Sequence, residues 1–425
     1  MRSSAGRELH GGASHAKHRF MVLQTNPVAS LQSISGPNVL FLLSDLEPGR
    51  ATTDALEMAK FLKRAGGNPV VVSAGGKLDY DLDRMSIPHH TLPVGQGGLL
   101  GLRRNVHALL HLIEENAIHV VHALSLPAAW IGFFAAKRVG ASFVTMAQMP
   151  YATAKPSRRF YHSIMARGDR VLTVSAFMSE HLQRQYDLAP ERIRQLPYGI
   201  DLMRFNPDLV TAERMATLTE NWRLPDGLKV ILCPGRLAYG KGQLVLVEAL
   251  AKLSRRDFIC VLAGPDDDED YADKIEQRTI DLGLEGHVSM VGECVDMPTA
   301  YMLADVVAVP HLTAGGFARV AAEAQAMGRP VVSADVGAAR EAILHNETGW
   351  LARINEPEAL AECLGLALDL TPEQRLRLGT KSITHIHTHF NKDEACWSVL
   401  DVYAELYNGP VPWEMNDPVS AAESR

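Results

Sequence analysis

Short apolar runs rich in β-branched residues alternate along the chain with longer segments whose apolar positions recur every three or four residues. From Pro37 onward this alternation reads as a series of parallel βα units. In the first half, residues 39–44, 70–73, 119–124, 143–147 and 171–175 form the runs that predict strands. Between the first two, Leu56, Ala59, Phe61 and Leu62 follow a helical period, and Ala65-Gly66-Gly67 supplies a stop. The second half repeats the pattern at 230–233, 258–263, 288–291, 306–309 and 330–334. Residues 197–227 carry prolines at 197, 207 and 225 and no sustained period, so an interdomain connection is placed at 201–225.

The resulting expectation is an α/β chain of two doubly wound, Rossmann-like domains, 37–200 and 226–390, followed by a helix at 391–407. Residues 1–36 and 408–425 read as loose tails, and Met21 is an alternative start. Ligands of open parallel sheets sit beyond the carboxyl ends of the strands, so two such domains facing each other enclose a cleft with two half-sites.

Composition narrows the picture. With 425 residues the chain is long enough for two cores. A net charge of −7 argues against bulk nucleic-acid binding. Five singly spaced cysteines suggest neither a disulfide framework nor a zinc site, which fits a reducing, cytoplasmic compartment. No apolar run reaches the roughly 18 residues of a membrane-spanning helix.

The chemistry concentrates in strand-to-helix loops. Residues 234–242, PGRLAYGKG, follow one predicted strand and precede a helix near Gln243. Gly235 and Gly242 let the backbone approach a ligand, the helix start offers unpaired N–H groups, and Arg236 and Lys241 add two positive charges. Such a loop suits a diphosphate, Arg236 forking onto two oxygens and Lys241 acting as a point charge, with no metal required. The plain alternative is a charged turn capping a helix. Residues 315–332 form a second loop and helix, in which Glu323 stands among alanines and either faces water or accepts hydrogen bonds from ligand hydroxyls.

Together these segments resemble the family-four retaining glycosyltransferases of GT-B fold, the group that includes bacterial lipopolysaccharide-sugar transferases. The likeness runs from about Val39 to Tyr407, with family-like pieces at 304–305, 328–330, 337–341 and 347–349. It implies that Arg236 and Lys241 hold the diphosphate of a nucleotide-sugar donor and act as the catalytic pair. It further implies that Glu323 takes the ribose hydroxyls and that Gly315, Gly316 and Phe317 lie beside the sugar. The expected activity is transfer of a hexose, with retention, to a cell-envelope glycan or lipopolysaccharide acceptor, without metal or other cofactor.

Three positions depart from the family pattern. A glutamate is usual where Gly315 stands, a glycine is usual at Ala318, and a histidine is usual at Gln148. Gly315 and Gln148 both belong beside the transferred sugar, whereas Arg236, Lys241 and Glu323 belong beside the nucleotide. Two readings follow: a transferase in which the donor phosphate accepts the acceptor's proton, or a non-catalytic relative that binds a nucleotide sugar or serves as an assembly partner. On the acceptor side, Gly49 lies in a loop holding one glycine where two are usual. His122 either lines the cleft or is a satisfied core histidine. Lys155, Arg158, Arg159, Arg167 and Arg170 form either a charged helix face or a patch for a lipid-linked acceptor and the inner face of the plasma membrane. The acidic run 266–270 reads as a solvated loop, and no metal site is assigned.

Overall fold

A computed structural model describes residues 36–413 except 96–97, 152–154, 197 and 267. The expected loose segment 1–35, the alternative start at Met21, Pro197 and the stretch 414–425 lie outside the described residues.

Two parallel sheets form the frame. The first contains β1 (Asn38–Leu42), β2 (Asn68–Ser73), β3 (His89–Thr91), β4 (Val120–Ala123), β5 (Ser142–Ala147), β6 (Arg170–Thr173) and β7 (Ile193–Gln195), in the order β3-β2-β1-β4-β5-β6-β7. The second contains β8 (Lys229–Pro234), β9 (Phe258–Ala263), β10 (Val288–Gly292), β11 (Val306–Val309), β12 (Val331–Ala334) and β13 (Gly349–Ala352), in the order β10-β9-β8-β11-β12-β13. The central strands β4, β9 and β11 are buried along their whole length, as expected of parallel strands covered by helices on both faces. The order reverses beside β1 and β8, which places a crevice at the carboxyl end of each sheet.

Three features differ from the pattern-based expectation. The segment 201–225 is not structureless: it holds the helix Ala212–Asn221, none of whose residues is fully buried, so it leaves no apolar stripe to detect. Arg214 anchors it through two hydrogen bonds to Asp296, at 2.6 and 3.0 Å. The chain beyond Asn408 is not loose as far as Trp413, which is buried in the core of the first domain near Gly36. Third, the helix Lys392–Tyr407 returns to the first domain. Lys392 reaches Glu57 at 3.2 Å and Asp201 at 2.8 Å, Glu405 pairs with Arg194 at 3.2 Å and with Arg170, and Trp397 packs on Phe61.

That return settles His122. Its side chain is fully buried on the sheet face covered by the last helix, and Nδ1 lies 2.6 Å from the Tyr403 hydroxyl. His122 is therefore a core residue and does not line the cleft. Burial pushes its imidazole down to about 3, so it is neutral in the folded protein. The unfolded chain, with its ordinary value near 6.5, takes up the proton first, and stability is lost as pH falls below that value. Between pH 6.5 and 5, His122 alone is expected to cost about 2 kcal/mol. Urea unfolding at pH 7, 6 and 5 checks this: His122→Gln, which can still hydrogen-bond Tyr403, should show a shallower loss than the parent.

Candidate active site

The carboxyl ends of the two sheets face a cavity of about 420 Å³. Gly49, Arg50 and Thr53 line it from the first domain; Lys241, His311, Gly315 and residues 317–320 line it from the second. Among the described residues no Asp or Glu belongs to its lining.

The loop after β8 explains why glycine stands where it does. Gly235 has φ +132° with open space on its Cβ side, so only the backbone angle demands glycine there. Gly242 has φ +71°, and a Cβ on it would lie 1.9 Å from the Pro310 carbonyl oxygen. This contact pins the 3-10 turn Tyr239–Lys241 against the end of β11 and turns Lys241 toward the cavity. Arg236 is exposed beside it. Burial lowers the Lys241 ammonium, Cys233 opposes that effect, and Arg236 and Arg50 lower it further. His311, whose Nε2 is 3.5 Å from Lys241 Nζ, is pushed down to about 4 by burial and by that cation, so it is neutral at pH 7.

The helix start expected to receive the anion is not open. In the helix Gln243–Lys252, Gln243 is fully buried and donates to the Arg236 carbonyl at 3.0 Å, while the Leu244 N–H points to the Tyr271 hydroxyl at 3.4 Å. The open helix start is that of Arg319–Ala326, which has neither a side-chain cap nor a first-turn acid, and whose Ala318, Arg319 and Val320 line the cavity with Lys241.

Residues 215–385 match the glycosyl transferases group 1 family, and residues 51–204 match glycosyltransferase family 4. A D-inositol 3-phosphate glycosyltransferase of Xylanimonas cellulosilytica is 33% identical over 307 residues, which cover 68% of this chain and 72% of that protein. The chain belongs to the family-four glycosyltransferases. It is an enzyme of the transferase class on that evidence, and the GT-B fold agrees. A glycosyltransferase from Rickettsia africae superposes with a TM-score of 0.80 at 26% identity, covering 87% of this chain and 98% of the other. Anabaena Alr3699/HepE, solved in complex with UDP and glucose, shares the fold with a TM-score of 0.76 at 20% identity, covering 87% and 100%.

In this glycosyltransferase Gly316, the neighbour of Gly315, meets Gln148 across the cleft. A Cβ on Gly316 would meet the Gln148 carbonyl oxygen at 2.1 Å, so the second domain's loop touches the first domain's backbone. The Gln148 side chain donates to Asp54 at 2.7 Å. Asp54 also accepts from the Tyr198 hydroxyl at 3.1 and 3.2 Å and lies 3.7 Å from Arg319, which itself donates to Tyr198. Burial raises the Asp54 carboxyl, and Arg50 and Arg319 oppose it. Phe317 is buried and packs against Tyr198 with ring centroids 4.3 Å apart and planes tilted by 37°, so its ring closes the domain interface as well as lining the cavity.

Glu323 does not face bulk water, and it lines a cavity other than that of Lys241. It is largely buried because the Tyr301 hydroxyl donates to its Oε2 at 2.9 Å. It lines a separate cavity of about 250 Å³ together with Asp54, Tyr198, Arg204 and Arg319. The basic cluster is likewise divided. Arg167 lies over the rings of Trp130, Phe133 and Phe160, Arg170 pairs with Glu405, and Arg159 donates to the Gln185 carbonyl; Lys155, Arg158, Arg159 and Arg167 are all exposed. In the acidic run, Asp267 lies outside the described residues, and Asp268 caps the helix Glu269–Asp281. Among the described residues no group of three or more His, Cys, Asp or Glu converges as a metal site.

Arg50 is the cleft residue that pattern reading passed over. Its guanidinium lies 4.4 Å above the Tyr198 ring, and its Nε and Nη2 are buried without a hydrogen-bond partner among the described residues. A signal was present: a cation in the first turn of the helix Arg50–Arg64 works against the helix dipole and calls for an anion nearby.

Proposed function

We propose that this glycosyltransferase binds a nucleotide-sugar donor with its diphosphate at Lys241, Arg236 and the start of the helix Arg319–Ala326, and moves the hexose, with retention, to an acceptor hydroxyl presented by the first domain. The observation that carries this reading is the cavity free of carboxylates, in which a half-buried ammonium faces an uncapped helix start. As the bond to the sugar breaks, negative charge grows on the leaving diphosphate, and preorganised cations stabilise that charge more than they stabilise the bound donor. With His311 neutral and no carboxylate lining the cavity, the donor phosphate is the base we assign to the acceptor's proton. Gly49 lies on the acceptor side of this cleft.

The Anabaena structure with UDP and glucose supports the donor class. For the acceptor, the Xylanimonas relative points to a polyol phosphate, and the likeness to lipopolysaccharide-sugar transferases points to a cell-envelope glycan. Exposed Phe160 beside Arg158 would suit contact with a lipid-linked acceptor at a membrane surface. Gly315, which leaves the sugar end without a carboxylate, favours a second reading, a non-catalytic nucleotide-sugar binder.

Thermal unfolding against UDP, GDP, ADP and their sugar conjugates, with an assay for released nucleotide, separates the two. A ligand at about 100 times its dissociation constant stabilises by roughly 2.7 kcal/mol. A shift with acceptor-dependent release is the expected outcome. A shift without release under any acceptor moves the assignment to the binder, and no shift with any nucleotide removes both.

A further inference from the structure

Two arginines line the cleft besides Lys241: Arg319, which is engaged by Tyr198 and Asp54, and Arg50. Lys241 stands on the second domain's wall, with Arg236 exposed outside the lining, and Arg50 stands on the first domain's wall. Its geometry shows what it lacks. Asp54 Oδ2 is 3.9 Å from Arg50 Nε, beyond hydrogen-bond reach, and the Asp54 oxygens are already taken by Gln148 and Tyr198. The Tyr198 ring beneath the guanidinium holds its plane but accepts none of its in-plane N–H bonds. Two buried guanidinium nitrogens are therefore left with no hydrogen-bond acceptor among the described residues. On the other side of the same cavity, a Cβ on Gly315 would touch nothing closer than the Phe317 carbonyl oxygen at 3.4 Å, so the space there is open. An arginine that lines this cavity with two unfilled N–H groups, and whose nearby carboxylate, Asp54, is already engaged by Gln148 and Tyr198, is the complement of a planar or tetrahedral oxyanion.

We infer that Arg50 is a specificity-determining residue that receives an oxyanion, a carboxylate or a phosphate, at the sugar end of the cleft, so that the enzyme selects an acidic donor sugar or a phosphorylated acceptor over its neutral counterpart. The inference rests on the donor reading above and names the charge class of the substrates that reading leaves open.

Calorimetric titration of the full chain tests it in two arms. The donor arm compares UDP, UDP-glucose and UDP-glucuronate, with GDP, GDP-mannose and GDP-mannuronate run beside them. The acceptor arm compares myo-inositol with D-myo-inositol 3-phosphate in the presence of whichever nucleoside diphosphate binds. The charged member of one arm should bind roughly ten- to a hundredfold tighter than the neutral member. Arg50→Gln should remove that preference while the affinity for the nucleoside diphosphate alone changes far less. Arg50→Lys should keep part of it, because charge survives without the fork. Gly315→Glu, which places a carboxylate in the same cavity, should also suppress it. Unligated melting curves of each variant check that the fold is kept.

Equal weakening of the nucleoside diphosphate and the charged ligand in Arg50→Gln would overturn the inference and assign Arg50 to the diphosphate. So would the absence of a charge preference in both arms. Failure of every nucleotide to bind would instead remove the donor reading, and this inference with it.

Discussion

Lys241→Ala is expected to abolish the thermal shift produced by the cognate nucleoside diphosphate and to lower kcat/KM by roughly a hundred- to a thousandfold. The size follows from where the ammonium sits. It is half-buried at the end of a turn fixed by Gly242 against Pro310, and no carboxylate lines its cavity, so a bound diphosphate is the partner that compensates its desolvation. The same reasoning predicts that the unligated variant melts no lower than the parent, because burying this cation among Arg236 and Arg50 disfavours the empty protein. Titration with the nucleoside diphosphate and a melting curve together check both halves. Donor affinity equal to the parent's would sink the phosphate assignment.

Gly316→Ala should damage turnover nearly as much by a different route. Gly316 does not need glycine for its backbone angle; the added methyl would instead collide with the Gln148 carbonyl oxygen at 2.1 Å and the Met149 nitrogen at 3.2 Å, on the opposite domain. The collision is most easily relieved by separating the domains at this contact. Around it lie the Tyr198–Phe317 contact, the Arg319–Asp54 pair and Glu341, whose carboxylate accepts from the Ala176 and Phe177 N–H groups at 2.8 and 2.9 Å and so caps a helix of the first domain. A displacement of about 1 Å between reacting groups can cost about a hundredfold in rate. Activity should fall by that order, with a lower melting temperature because Tyr198 and Phe317 belong to a core cluster shared by the two domains, and small-angle scattering should report a larger radius of gyration. Full activity would mean that the reaction proceeds with this contact open.

Much of the frame could be read from the chain because strands of parallel sheets are continuous apolar runs. The strands that escaped are β3, β7 and β13. The first two are three-residue edge strands carrying His-His-Thr and Ile-Arg-Gln, and the third is a four-residue edge strand that opens on glycine. At the site, the Lys241 loop announced itself because glycines and cations were adjacent in sequence. Arg50, Asp54 and Tyr198 did not, because what they do depends on Arg319 and Phe317 from the facing domain. His122 was ambiguous for a related reason. A residue at a strand's end can face the cleft or the covering helix, and the group that decided, Tyr403, is 281 residues away. Glu323 left two alternatives open because its partner Tyr301 comes from another helix, 22 residues upstream.

The returning helix Lys392–Tyr407 also sets an order of assembly. Its Tyr403 fills a slot beside Phe41 and His122 in a domain whose own strands are complete by Gln195. On the ribosome, the first domain to emerge is thus the last to be finished: it must wait for roughly 200 further residues, about 10 to 40 s of elongation. Through that interval the apolar groove under the missing helix stays uncovered. A chaperone that shields nascent chains would find its natural footing there, and the first domain expressed alone should be prone to aggregate unless the last helix is supplied.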